Sequence, residues 1–154
     1  MKKTISVILC LILIALTFSG CKSNNDRVTD VIQEATIVSI NGTQVDTVEA
    51  SMGAFSGKQG DYIEFRFSEL QTVNTFFIIE KTTAVIQYNI YAEIDGRYKL
   101  IHTGKNIFSE NIKTETINTS AIKVEIVNTQ IGNDNFTIQG ISAYNIKEIQ
   151  NNVN

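Results

Sequence analysis

Apolar and polar residues alternate with a period of two along most of this chain, from about residue 35 to residue 146. No window carries a convincing stripe at 3.6-residue spacing, so the pattern predicts strands rather than helices. Ala35 to Ile40 alternates, Asn41-Gly42 supplies a two-residue turn that favours positive φ, and Thr43 to Ala50 returns as the second arm of a hairpin. Ser51 to Gly60 is rich in glycine and serine and reads as a loop. Asp61 to Phe67 sets Ile63, Phe65 and Phe67 on one face, with Tyr62, Glu64 and Arg66 on the other. Thr72 to Glu80 is apolar around Phe76-Phe77-Ile78-Ile79 and is expected to be covered on both faces. Ala84 to Ile94 points Ile86, Tyr88, Ile90, Ala92 and Ile94 inward. Asp95-Gly96 then turns the chain into Arg97 to His102. Lys113 to Ile117 is a polar edge candidate, Ala121 to Val127 buries Ile122, Val124 and Ile126, and Phe136 to Ile146 closes the domain. Seven to nine short strands of this kind imply two stacked antiparallel sheets, each with one dry face and one wet face.

The N-terminus breaks this pattern. Lys2 and Lys3 precede an almost wholly apolar run, Ile5 to Leu16, which is short of the roughly 20 residues that cross a bilayer. Thr17-Phe18-Ser19-Gly20-Cys21 follows, with small residues directly ahead of the cysteine. The arrangement resembles the signal and lipobox of bacterial lipoproteins, with Phe18 in place of the usual leucine. The resemblance implies that residues 1–20 form a cleaved signal helix and that Cys21 carries the lipid. It also implies a location at the cell membrane, with the domain on the extracytoplasmic side. Each buried methylene contributes about 0.8 kcal/mol, so two or three acyl chains hold firmly where one would not.

Cleavage would remove Cys10 with the signal, leaving one cysteine and no intradomain disulfide. The 134 residues from Cys21 to Asn154 suffice for a single core. Losing Lys2 and Lys3 takes the formal charge from −3 to −5, with no basic cluster, which argues against nucleic acid as a partner. Residues 21–34 are expected to be the lipidated cysteine and a polar tether, residues 35–146 the β-sandwich, and residues 147–154 a tail.

The order of features from residue 45 to residue 145 resembles the coagulation factor V/VIII type C (discoidin) family. These are galactose-binding-like jelly rolls. The likeness lies in the Gly/Ser loop leading into Asp61-Tyr62-Ile63-Glu64-Phe65-Arg66-Phe67 and in the Tyr88 to Leu100 hairpin around Asp95-Gly96. It continues in Ala121 to Ile126 and in the closing strand Phe136 to Tyr144. The resemblance implies an all-β jelly-roll β-sandwich and non-catalytic binding through loops at one end. The chain lacks tryptophan, and Phe55 stands roughly where the family carries one. Gly140 replaces the glutamate that often helps a structural calcium site. Asn41 and Asp46 alone fall short of the six to eight oxygens calcium takes, so no cofactor is expected.

Catalytic chemistry finds little support. His102 is the only histidine, no second metal ligand accompanies it, and it reads as a hairpin-end residue. The sequence contains no G-x-S-x-G, H-E-x-x-H or P-loop pattern. Glu64, Glu93 and Glu125 fall on wet positions, as on a solvated sheet face, so the chain is not read as an enzyme. Binding has better candidates. Phe55 with Lys58 and Gln59 would combine an aromatic face with hydrogen-bonding groups, the usual means of holding a sugar. Phe55 could equally plug the end of the core. By strand polarity, Lys81 and the run Asn128 to Asn135 fall at the same end, adding Lys81, Asn133 and Asn135. Asp95 and Arg97 should lie at the opposite end with structural roles. The matches to the glycosylation sequon at Asn41, Asn118 and Asn135 are read as coincidence. The function expected is that of a membrane-anchored surface lipoprotein whose module binds carbohydrate or another surface polymer. The alternative is a structural lipoprotein of the envelope that docks a protein.

Overall fold

The computed structural model describes residues 28–107 and 111–147. The expected signal segment, Cys21, most of the expected tether and the expected tail beyond Lys147 lie outside the described residues. A 3₁₀ turn, Val31–Glu34, comes first, with Val31 and Ile32 already buried, so packing begins four residues ahead of the first strand. Asp30 fixes this start. Its Oδ1 accepts from Ile32 N at 3.2 Å and from Ala143 N at 3.0 Å.

Eight strands follow: β1 (Ala35–Ile40), β2 (Thr43–Val45), β3 (Phe55–Lys58), β4 (Tyr62–Glu80), β5 (Val85–Ile94), β6 (Arg97–Lys105), β7 (Ile112–Thr129) and β8 (Asn135–Tyr144). A short helix, α1 (Val48–Ser51), separates β2 from β3. All pairings are antiparallel. The expected two sheets are one continuous sheet bent into two layers, because β4 and β7 run through both. The front layer has the order β2-β1-β4-β7-β5-β6, using residues 62–67 of β4 and 121–129 of β7. The back layer sets residues 112–119 of β7 beside residues 71–80 of β4, then β8, then β3. The corner falls at the register break between Arg66 and Gln71, where Ser68, Glu69 and Leu70 face solvent.

The core lies between the layers. Ile63, Phe65, Ile90, Ile122, Val124 and Ile126 from the front meet Phe76, Ile78, Phe136, Ile138 and Ile141 from the back, all at most 1% exposed. Period-two alternation produces this directly, since one face of each strand must be dry. The turns at Asn41-Gly42 and Asp95-Gly96 have positive φ at both residues, as expected for tight hairpins.

Several expectations need correction. The arm after Gly42 ends at Val45, because the Thr47 hydroxyl accepts from Ala50 N at 3.1 Å and caps α1. The Ser51 to Gly60 loop contains β3, paired with β8 from Phe55↔Ile138 to Lys58↔Asn135. Residues 72–80 are not covered on both faces: Phe77 is half-buried and Ile79 is 37% exposed. The segments 113–117 and 121–127 are one strand, β7. Ile86 and Ile94 are half-buried rather than inside.

Candidate functional site

Three connections meet at one end of the sandwich, and the backbone ties them together. Between β3 and β4, Gly60 N donates to Ile126 O at 2.8 Å, and Asp61 N donates to Lys58 O at 3.0 Å. The Asp61 carboxylate bridges outward, accepting Lys58 N at 2.8 Å and the Asn41 amide at 2.9 Å. Asn41 in turn accepts Tyr62 N at 2.9 Å, so the β1–β2 turn is fastened to the same place.

Between β4 and β5, Lys81 N donates to Thr137 O at 2.8 Å, and Thr137 N donates to the Thr82 hydroxyl at 3.1 Å. Thr82 then donates to Glu80 Oε1 at 2.7 Å, and that oxygen also accepts from Ala84 N and Val85 N. Between β7 and β8, Gln130 N donates to Ala84 O at 2.8 Å, and its side-chain amide donates to Thr83 O at 2.9 Å. Asn133 N closes the turn onto Gln130 O at 3.0 Å, with Gly132 at φ +83°. These bonds hold the loop tips in fixed relation, which lowers the ordering cost of gripping a ligand.

Lys58, Gln59, Lys81, Asn133 and Asn135 are all exposed at this end. Phe55 is not with them. It is 5% exposed, and its ring meets Phe136 edge-on with centroids 5.1 Å apart and planes at 76°. The ring is a core plug, the second of the two readings the sequence left open. Its place as an apolar contact is open to Ile131, which stands fully exposed at the tip of the β7–β8 turn. The signal for it in the sequence is one large apolar residue inside an Asn/Gly turn. Asp95-Gly96 lies at the far end of β5, away from these loops, as the strand polarity requires.

A second cluster covers the outer face of the front layer. Lys123 Nζ lies 4.5 Å from the Tyr91 ring centroid, 5.0 Å from that of Tyr98 and 5.2 Å from that of Tyr62. Arg66 pairs with Glu64 at 2.6 Å and Glu93 at 3.0 Å, while Tyr91 donates to Glu125 at 2.8 Å. Burial alone would lower the Arg66 guanidinium, but Tyr98, Glu64 and Glu93 outweigh it and raise its pKa. Burial raises the Tyr98 phenol strongly, with help from Glu64. Each ring is thus engaged by the chain's own ammonium and each carboxylate by a donor, so the face is a satisfied network with little left to offer a ligand.

His102 stands on β6 opposite Ile90, its ring 5.8 Å from that of Tyr88, and burial lowers its pKa. It borders a cleft of about 340 Å³ with Gly104, Lys105, Asn111 and Lys113. Among the described residues, no three His, Cys, Asp or Glu side chains converge as a metal site.

No family model matches the chain, and no curated protein does either. Solved structures do. The SpGH29 crystal structure superposes with a TM-score of 0.64 at 14% identity, covering 77% of this chain and 28% of that one. The chain therefore spans little more than a quarter of that protein's length. The family 32 carbohydrate-binding module from Streptococcus pneumoniae EndoD matches with a TM-score of 0.62 at 12% identity, covering 77% of this chain and 100% of that one. The family 32 module of AlyQ, solved in complex with 4,5-unsaturated mannuronic acid, matches at 0.57 and 12%, covering 73% and 96%. Across these matches the shared feature is the fold: the chain is a jelly-roll β-sandwich.

Proposed function

We propose that this protein is a non-catalytic glycan-binding module held at the membrane by an acylated Cys21. The observation that carries the reading is the loop end itself. Exposed amides and ammonium groups stand on three mutually bonded loops around an exposed Ile131. Amides and ammoniums hydrogen-bond sugar hydroxyls, and the isoleucine offers an apolar contact for a sugar's C–H face. Solved structures of the same fold that are carbohydrate-binding modules support the reading.

The placement suits an anchored protein. Asp30 touches Ala143 near the end of β8, whereas Asn135 begins that strand at the loop end. Strand rise puts the two roughly 25 Å apart. A tether leaving from residue 28 would therefore direct the loops away from the membrane. Weak single-site affinity would be offset by many copies on one surface.

A glycan-array screen of the full chain in detergent tests the binding. Asn133→Ala and Asn135→Ala should each weaken the strongest signal about tenfold, and Ile131→Ser severalfold. Asp95→Ala, at the opposite end, should change nothing. Binding that ignores all three loop variants would remove the site. The anchor has its own check. Cys21→Ser should abolish incorporation of labelled fatty acid and release the protein from the membrane fraction; continued labelling would refute Cys21 as the acceptor.

A further inference from the structure

Resting on the loop-end reading, we infer that the ligand is an acidic glycan, a uronate-bearing polysaccharide whose carboxylate is held between Lys58 and Lys81. The two lysines bracket the first residues of β8. Lys58 lies on β3 directly across from Asn135, and Lys81 hydrogen-bonds through its backbone to Thr137 on the other side of the same strand. β3, β8 and β4 are adjacent, so the two lysine backbones stand two strand spacings apart, roughly 10 Å. That gap is within reach of two lysine side chains closing on one sugar carboxylate from opposite sides. The groups between them are polar and exposed: the Asn135 amide and the paired hydroxyls of Ser56 and Thr137, 3.0 Å apart.

Both ammonium groups are uncommitted. Neither forms an ion pair within the described residues. The two nearest acids keep their charge but turn to other donors and form no ion pair with either lysine. Asp61 spends both carboxylate oxygens on Asn41 and on Lys58 N–H. Glu80 turns beneath its own loop, one oxygen taking three donors and the other fully buried. Asp134, on the β7–β8 turn, is the one exposed carboxylate beside the pair. The geometry that favours a carboxylate is two unpaired, exposed ammonium groups flanking one strand, with Asp61 and Glu80 half-buried and bonded elsewhere and Asp134 the exposed acid beside them.

The inference is tested by affinity electrophoresis and calorimetry of the full chain with polygalacturonate, polymannuronate and the methyl ester of polygalacturonate. The ester keeps the sugar ring and removes the charge. The acid polymers should bind at least fivefold more tightly than the ester, and raising salt from 50 to 500 mM should erase most of that difference. Lys58→Gln and Lys81→Gln should each cost about five- to tenfold on the acid forms, with Lys→Arg retaining most of the affinity. Equal binding of acid and ester, no binding of either acid polymer, or full affinity in both glutamine variants would overturn the acidic-ligand inference. If a neutral glycan then binds and Asn135→Ala still abolishes it, the loop-end site stands with a different ligand. If Asn135→Ala is also silent, the site itself falls.

Discussion

Replacing Phe55 with alanine is expected to destabilise the fold by about 3–5 kcal/mol while leaving every exposed loop-end group in place. The side chain is 5% exposed, on the four-residue edge strand β3, and its ring packs edge-on against Phe136. Removing the ring leaves a cavity lined by Phe136 and Ile138, which are anchored in β8 and cannot close over it without shifting the strand. Small domains have only about 5–15 kcal/mol in total, so the loss is large. A urea titration should show a much lower midpoint with little change in slope. Phe55→Leu keeps most of the volume and should cost less than about 1.5 kcal/mol. Where the alanine variant remains folded, glycan affinity should match the parent. A variant of parental stability that had lost its ligand would make Phe55 a sugar platform after all.

Phe55 shows where the sequence was readable and where it was not. Alternation in residues 61–67 places Ile63, Phe65 and Phe67 inside without ambiguity, because a one-residue slip would bury Glu64 and Arg66. Asn41-Gly42 and Asp95-Gly96 announce their turns for a local reason, the need for positive φ at two successive residues. By contrast, Phe55-Ser56-Gly57-Lys58 has no strand signal of its own. It becomes a strand only because β8, eighty residues later, offers it an edge. Whether an aromatic in a Gly/Ser segment points in or out is decided by that distant pairing. The continuity of β4 is hidden for a similar reason. Its buried positions change phase between residues 67 and 76, since the corner at 68–70 rotates the strand from one layer to the other.

The candidate site was legible as a set of loops. Strand polarity alone places Lys58, Gln59, Lys81, Asn133 and Asn135 at one end, because antiparallel neighbours alternate their loops between ends. What polarity cannot supply is the bonding among loops. The Thr137–Thr82–Glu80 chain and the Gln130–Thr83 bond join residues up to 55 positions apart through single side chains. The same holds for the front face. Glu64, Glu93 and Glu125 are recognisable as wet positions, but their partners Arg66 and Tyr91 emerge only from the register of β4, β5 and β7.

Gly53→Ala should cost about 2–5 kcal/mol, more than any other glycine-to-alanine change at a turn in this domain. Gly53 follows α1 with φ +77°, and a left-handed backbone costs a residue with a Cβ about 1–2 kcal/mol. Space makes the position worse. A Cβ there would fall 2.5 Å from Ile141 N and 2.6 Å from Ile141 Cβ. Ile141 cannot yield easily: it is 1% exposed, pairs with Ile78, and donates its N–H to Met52 O at 3.2 Å. Overpacking against fixed backbone adds about 1–3 kcal/mol. Gly132 provides the internal comparison. Its φ is +83°, but nothing lies within 4 Å of an added Cβ, so Gly132→Ala should lose only the backbone term of about 1–2 kcal/mol. The two variants' denaturation midpoints measure the difference, and equal shifts would mean that the contact with Ile141 carries no weight. The site should feel the change as well. Gly53 sets the path of the chain into β3, so moving it should displace Lys58 relative to Asn135 and weaken the proposed glycan binding.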